Sequence, residues 1–528
     1  MSDYDVIMIG GGHNGLLVSA YLAKAGLKVC VLEARAFCGG GVITQEVTAP
    51  GFKHDLGATG TSIDLSPIIK RDELGLVKRS GIRVSEPPEV QEAQLFPDGR
   101  AIILYKDIDK TCASIARVSQ KDADAFRQLY QTGLPALPYI TAGSINPPAP
   151  FSNTLAGMLT SANGLDTLRM TFINAIDLID EMFETDLMKI AMTRIAAIAR
   201  ISPWEAGTAG LLPVMIPSTM QHGTRRVVGG SGKFVEAVEM AVKAFGGTVR
   251  VNAPVKQVTI ENNIASGVVL ASGEKISAGR CVIASINVKQ LFPDMLPDAR
   301  LPDGFVKWVK RLKPQRVQYF TTHYALHQSP AYRSEADVSR SSQVHFTGTT
   351  NHEEYLTTLQ AMYRGIPRTN GCGILCSTLI DPTRAPAGKH TLWVNSQEPF
   401  YVKGGPKRWD EIKGQVTADI LKNIRAQTSN MGPDNIIGEK TYSPLDFSRW
   451  NPAWLEGDPS HIGGYIHQYS SYRPVPGWSG YKMPVEKLYM CGPSTHGGTG
   501  LAGGGRAPAA VILKDLGMDF EKVATAPV

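Results

Sequence analysis

A strand that runs into a glycine-rich turn and straight on into a helix constrains this chain more than anything else in it. Residues Tyr4-Asp-Val-Ile-Met-Ile-Gly-Gly-Gly-His-Asn-Gly15 lead an apolar strand, Val6 to Ile9, into Gly10-x-Gly12-x-x-Gly15. In such a turn the first glycine permits the tight bend, the second lets backbone approach a diphosphate, and the third lets the helix lie close on the strand. The helix, from about Asn14 to Lys24, sets Leu17, Ala20 and Tyr21 on one face and stops at Gly26. Its first N–H groups would hold the diphosphate, and His13, inside the turn, is read as capping the helix or touching the cofactor rather than reacting. Glu33 closes the next strand 18 residues after Gly15, near the roughly 20-residue interval at which an acid accepts ribose hydroxyls. Together these features predict a site for an ADP-containing dinucleotide.

With 528 residues the chain exceeds what one hydrophobic core usually serves, so two or more domains are expected. Apolar residues at 43% and charged residues at 19% are the balance of a soluble globular protein, with no apolar run long enough to span a membrane. Asp3 and Asp5 precede a strand of the fold itself, which argues against a cleavable leader. The expected location is cytoplasmic, with a membrane-peripheral one left open. A net charge of +6 is spread along the chain without a basic block, so nucleic acid is not an expected partner. Seven cysteines without a Cys-x-x-Cys argue against a redox-active pair of that kind. Cys372 and Cys376 lie four apart in an apparent strand, facing one way, but no neighbouring His or Cys completes a set, and no metal is expected.

Two further glycine turns organise the rest. Val227-Val-Gly-Gly-Ser-Gly-Lys-Phe234 opens a helix through Phe245, followed by strands at Thr248 to Val251, Val255 to Glu261, Ala265 to Leu270 and Cys281 to Ala284. Near the C-terminus the strand Leu488 to Cys491 meets Gly492 to Gly505, with a helix from about Ala507 to Leu516 whose dipole can stabilise negative charge. Between them lie two insertions. The first, with a proline-rich stretch from Pro135 to Pro150, carries Phe183, Leu187, Ile190, Ala191, Ile195 and Ile198 at helical spacing, read as a core-facing helix or as a tunnel or membrane-contacting wall. The second alternates strands (Val317 to Tyr324, Gly373 to Leu379, His390 to Asn395) with a helix near Trp409 to Gln427. A nucleotide domain in three pieces, interleaved with a substrate domain, is the economical arrangement.

These glycine signals, with Cys38-Gly-Gly-Gly41, Gly51 to Gly57, Asp381 to His390, Gly463-Gly-Tyr-Ile-His467, Arg473-Pro-Val-Pro-Gly477 and Cys491 to His496, resemble the flavin-containing amine oxidase and phytoene desaturase superfamily. The resemblance is greatest to its phytoene dehydrogenase-related branch and covers nearly the whole chain. It implies non-covalently bound FAD and an α/β fold. A Rossmann-type (GR2-like) FAD domain would comprise 1–90, 223–300 and 441–528, and an α+β substrate domain, a β-sheet with covering helices, would comprise 91–222 and 301–440. By matching motif, Gly10, Gly12 and Gly15 with His13 and Asn14 would turn under the diphosphate and Glu33 would hold the adenosine ribose. Arg35, Gly40 and Gly41 would line the phosphate path, Val258 would meet adenine through its backbone, and Gly492, Gly500 and Leu501 would complete the site.

The implied reaction is oxidation of a carbon skeleton, which needs a hydride acceptor, a stabilised reduced ring and a proton acceptor. His467 and His496 fall in motifs the family places near the flavin, His54 follows the phosphate segment, and Arg473 with Tyr472 is suited to orienting a polar end of substrate. Expected partners are a hydrophobic or cyclic small molecule and dioxygen or a quinone as electron acceptor. Amine oxidation on the same scaffold, and a flavin-free prenyl-lipid binding protein of the same fold, are the alternatives. No Ser-His-Asp set, zinc motif or P-loop lysine is present.

Overall fold

Apolar on both faces, the strand Val6 to Ile9 belongs at the centre of a sheet covered on two sides, and that is its place in the structure. The structure is a computed structural model describing residues 2–60, 63, 66–160, 164–223, 225–498, 500 and 503–528. The N-terminal segment supplies β1 (Tyr4–Ile9), β2 (Val29–Leu32) and a short hairpin, β3 (Thr44–Gln45) and β4 (His54–Asp55). Next come β5 (Val90–Leu95) and β6 (Ala101–Tyr105), then β7 (Thr248–Arg250), β8 (Val255–Glu261), β9 (Ile264–Leu270) and β10 (Lys275–Ala284). The remainder adds β11 (Val317–Leu326), β12 (Gln343–Phe346), β13 (Cys372–Leu375), β14 (His390–Pro399), β15 (Ile436–Tyr442) and β16 (Leu488–Met490).

The first sheet runs β7-β2-β1-β10, all parallel, and β10 changes partner along its length. Its N-terminal end pairs antiparallel with β9 of the β8–β9 hairpin, and its C-terminal end pairs parallel with β16. Alternation along β1 sends Val6 and Met8 to one face, against helices His13–Lys24, Gly232–Ala244 and Gly503–Asp515. Ile7 and Ile9 go to the other, against the β8–β9 hairpin and helix Val288–Asp294. This is the doubly wound α/β arrangement expected from the sequence.

The second sheet is mixed, in the order β15-β11-β14-β13-β12-β5-β6, with helix Trp409–Ala426 against one face. Strand β15 crosses position 440, and the helix Phe305–Arg311 packs with Phe292 beneath the first sheet. The amphipathic run forms the helix Asp186–Ala197, capped by the Thr185 side chain. Phe183 therefore precedes the helix, and Leu187, Ile190, Ala191 and Ile195 face an apolar core. Cys372 opens β13, Cys376 lies just beyond it, and all seven cysteines are buried free thiols. No helix among the described residues is long and apolar enough to cross a membrane.

One buried acid in the second sheet gives a pH-dependent term. Glu398, on β14, accepts the Arg368 N–H at 2.8 Å and the Ser396 hydroxyl, yet burial pushes its pKa up to about 8. The folded chain therefore holds this proton more tightly than the unfolded chain. The stabilising contribution is whole below the ordinary glutamate value of 4.5, declines as pH rises, and is gone above about 8. Glu398→Gln should raise the melting temperature at pH 8 and leave it unchanged at pH 4, as measured by calorimetry at both pH values.

Candidate active site

The parallel strands end together, and the loops that leave them form a crevice. Gly10 N–H donates to Leu32 O at 2.8 Å, Ser285 N–H to Ile9 O at 2.8 Å, and Cys491 N–H to Ala284 O at 3.0 Å, which draws the four strand ends into one rim. Over this rim lies a cavity of about 1470 Å³, bounded by Gly10, Gly12, Glu33 and Arg35 on one side and by Tyr319, Thr321 and Trp393 of the second sheet on the other. It exceeds the roughly 300–1,000 Å³ of ordinary small-molecule pockets.

The dinucleotide side is built as its glycines require. A Cβ on Gly15 would lie 2.5 Å from Gly10 O, so Gly15 sits off the cavity wall and serves helix–strand approach. Helix His13–Lys24 begins at Gly12 with no side-chain cap, which leaves its first N–H groups for an anion. The Glu33 carboxylate accepts the Gly11 N–H at 2.8 Å through Oε2 and the Arg35 N–H at 2.9 Å through Oε1. Arg35 donates through Nη2 to Gly40 O at 3.1 Å and lies between the rings of Phe37 and Trp450, while its Nη1 is buried without a partner. Asn14 donates to Gly498 O at 2.9 Å, joining the first turn to the C-terminal glycine loop, and its Oδ1 has no partner. An uncapped helix start, a bare glycine turn, a carboxylate and unpaired groups on Arg35 and Asn14 fit a dinucleotide with a diphosphate centre.

The structure moves several expected residues. Val258 is buried in the core, its N–H donating to Met295 O at 3.0 Å, and Pro254 and Val255 line the cavity in its place. Val258 packs in the apolar cluster beneath the first sheet with Ala265 and Val268. His467 is exposed and stacked on Tyr465 at 5.7 Å, off the cavity wall that Tyr465 itself reaches. Arg473 reaches the wall but is committed to backbone, donating to the carbonyls of Ser460 at 2.7 Å, Ile462 at 2.9 Å, Gly463 at 3.4 Å and Pro493 at 3.0 Å. That leaves no fork to orient a substrate. Tyr472 packs against Phe151, and His54 bonds Thr48 beside the His323 ring. Gly492 lies behind the wall that Gly500 reaches, and Leu501 falls outside the described residues.

The last helix also starts earlier than expected, at Gly503 rather than near Ala507. A Cβ on Gly505 would lie 2.4 Å from Leu17 Cβ, so the glycines are kept for close contact with the first helix. Arg506 turns away to Glu73 at 3.0 Å. The middle glycine turn faces inward as well: Gly229 N–H donates to Asp381 at 2.7 Å and Ser231 N–H to Asp55 at 3.0 Å.

Of the expected histidines, His13 and His496 stand on the cavity wall. His13 bonds Gly500 O at 3.2 Å, and burial lowers its pKa to about 4. His496 donates through Nε2 to Gly143 O at 2.7 Å, so Nδ1 is an acceptor, without a partner among the described residues; burial lowers its pKa too. The sequence did not single out His461, Tyr319, Thr321, Trp393 or Trp454, all of them on the wall. Among the described residues no three His, Cys, Asp or Glu gather as a metal set.

Comparison with known proteins agrees with this geometry. Residues 8–64 match a NAD(P)-binding Rossmann-like domain. The chain is 28% identical over 560 aligned residues to pyridine nucleotide-disulfide oxidoreductase domain-containing protein 2 of Rattus norvegicus, covering 97% of this chain and 94% of that protein. It is 26% identical over 536 residues to one of the polypeptides of limonene dehydrogenase from Castellaniella defragrans, covering 98% and 95%. In fold it is similar to putrescine oxidase bound to putrescine, with a TM-score of 0.62 at 14% identity over 97% of this chain and 99% of that one. The resemblance drawn from the glycine motifs is borne out.

Proposed function

We propose that this relative of the phytoene dehydrogenase-related proteins is an FAD-dependent oxidoreductase that removes hydrogen from carbon in a hydrophobic or cyclic small molecule, with dioxygen or a quinone taking the electrons. The names of its relatives are those of oxidoreductases, and the chain is one. The observation that carries the finer reading is the continuous cavity joining the Glu33 rim to the apolar-walled space beneath the second sheet. FAD, when bound, accepts hydride from carbon.

The chain's own residues do the rest. The open start of helix His13–Lys24 and the turn at Gly12 hold the diphosphate, and Glu33 holds the ribose. The N-terminus of helix Gly503–Asp515 gives a favourable field for negative charge. Burial keeps His13 uncharged, and Ile198, Ile201 and Trp393 give the substrate side an apolar wall. His496, whose Nδ1 has no partner among the described residues, is the proton acceptor we assign.

Oxidation of an amine is less well served. Among the described residues, the carboxylates on the cavity wall are Glu33 and Asp294, and Asp294 ends the helix beside Met295, whose carbonyl holds the adenine-side strand β8. Neither stands under the second sheet to receive an ammonium group.

The purified chain should be yellow, releasing about one FAD on denaturation, and cyclic alkenes or ketones should bleach it under anaerobic conditions while simple amines do not. A colourless chain that binds prenyl lipid would instead support the binding-protein reading, and bleaching by amines alone would support amine oxidation.

A further inference from the structure

His461 has a backbone conformation that side-chain-bearing residues rarely adopt, with φ +63°, and its buried ring stands on the cavity wall. The strain is held from both sides. Arg473 Nη2 donates to the carbonyls of Ser460 at 2.7 Å and Ile462 at 2.9 Å, the residues before and after His461. Asn287 Nδ2 holds the His461 carbonyl at 3.4 Å, and the His461 N–H donates to Asp458 O at 3.2 Å. The ring is fixed as well. Ser494 Oγ accepts the Val288 N–H at 3.0 Å and lies 3.0 Å from His461 Nδ1, closer than its 3.4 Å to Ile286 O. Those lengths assign the Ser494 proton to Nδ1 and the ring proton to Nε2, which has no protein partner among the described residues. Held from both sides on the cavity wall, this conformation is the observation from which a role for the ring is argued.

We propose that His461 contacts the bound dinucleotide through Nε2 as a neutral hydrogen-bond donor, and that Arg473 is its positioning residue. This rests on the FAD reading of the cavity. Ser494 and Ile286 belong to the loops after β16 and β10, and a Cβ on Gly10 would lie 3.4 Å from Ile286 Cγ2, so His461 stands at the sheet's C-terminal edge close to the diphosphate turn. Burial lowers its pKa to about 3, so the ring stays neutral and serves as a donor rather than as a base.

The test is FAD titration of the flavin-free full-length chain, with melting temperature as a second readout. His461→Gly and His461→Asn both tolerate the left-handed backbone. The expected result is an FAD dissociation constant at least about tenfold higher for His461→Gly, with part of the loss recovered by the Asn amide, and a flavin-free melting temperature no lower than wild type. Arg473→Lys should weaken FAD in the wild-type background and add little in His461→Gly, the non-additivity of two residues acting as one. If wild type binds FAD and His461→Gly binds equally with an unchanged flavin spectrum, the proposal is overturned. It is overturned too if affinity and melting temperature fall in step, which marks a purely structural histidine. If wild type binds no FAD, the reading of the cavity fails first and this inference goes with it.

Discussion

Arg384→Ala should destabilise the chain by about 3–5 kcal/mol, the usual loss when one member of a buried ion pair is removed. Arg384 is 1% exposed, and its guanidinium bridges two carboxylates, Asp381 Oδ2 at 2.8 Å and Asp55 Oδ2 at 2.9 Å. Although burial opposes its charge, the two acids hold its pKa above the ordinary arginine value. Each acid also ties down backbone: Asp55 receives Ser231 N–H at 3.0 Å and Thr44 Oγ1 at 2.6 Å, and Asp381 receives Gly229 N–H at 2.7 Å. The cluster thus clips the β3–β4 hairpin to the middle glycine turn and to the loop between β13 and β14. Alanine would leave two buried carboxylates without their cation. Arg384→Lys should recover little, because an ammonium cannot present two aligned donors. The triple change Arg384→Met, Asp55→Asn, Asp381→Asn should recover much more than half of the loss, since the charges leave together. Calorimetric melting of the single and triple variants decides it. A single variant within about 1 kcal/mol of wild type would refute the clip, and so would a triple variant no better than the single.

That clip marks where the sequence stops being legible. Asp381 to His390 reads as a motif, but the clip's other members lie far along the chain: Asp55 is 329 residues from Arg384, and Gly229 is 152 residues from Asp381. No local pattern ties them together. Local patterns served well wherever the physics was local. Strand β8 has the ends expected from its β-branched run, and helix Trp409–Ala426 stops one residue short of the expected Gln427. Failures came where tertiary packing overrides propensity. Glycine disfavours a helix interior, so the last helix was expected beyond Gly505, yet contact with Leu17 needs glycine inside the helix. His467 and His461 lie six residues apart in one irregular segment. Motif position favours His467, whereas the backbone conformation and the Arg473 clamp that bring His461 to the wall cannot be read from residue type.

Glu33→Ala should weaken FAD binding by about 100-fold and yield an almost colourless chain that is otherwise folded. The sequence assigned Glu33 to the ribose, and the structure adds an earlier duty: its Oε2 holds the Gly11 N–H and its Oε1 the Arg35 N–H, each within 2.9 Å. The Arg35 Nε–H also lies 3.4 Å from Oε1. A carboxylate offers about four acceptor positions, so these three donors leave room for a ribose hydroxyl. Removing the acid therefore loosens the glycine turn and takes away the sugar contact in one step. A hydrogen bond to a charged group is worth about 1.5–3 kcal/mol, and losing the equivalent of one of these at a buried edge corresponds to about 10- to 150-fold in affinity. Glu33→Gln separates charge from shape. Its amide would set an NH2 donor against the Gly11 or Arg35 N–H, a donor facing a donor, so it should bind FAD no better than Glu33→Ala. Fluorescence titration with FAD, together with flavin released per chain, measures both. A Glu33→Gln variant with wild-type affinity would show that shape suffices, and a Glu33→Ala variant that stays fully yellow would show that the second strand's terminal acid does not hold the cofactor.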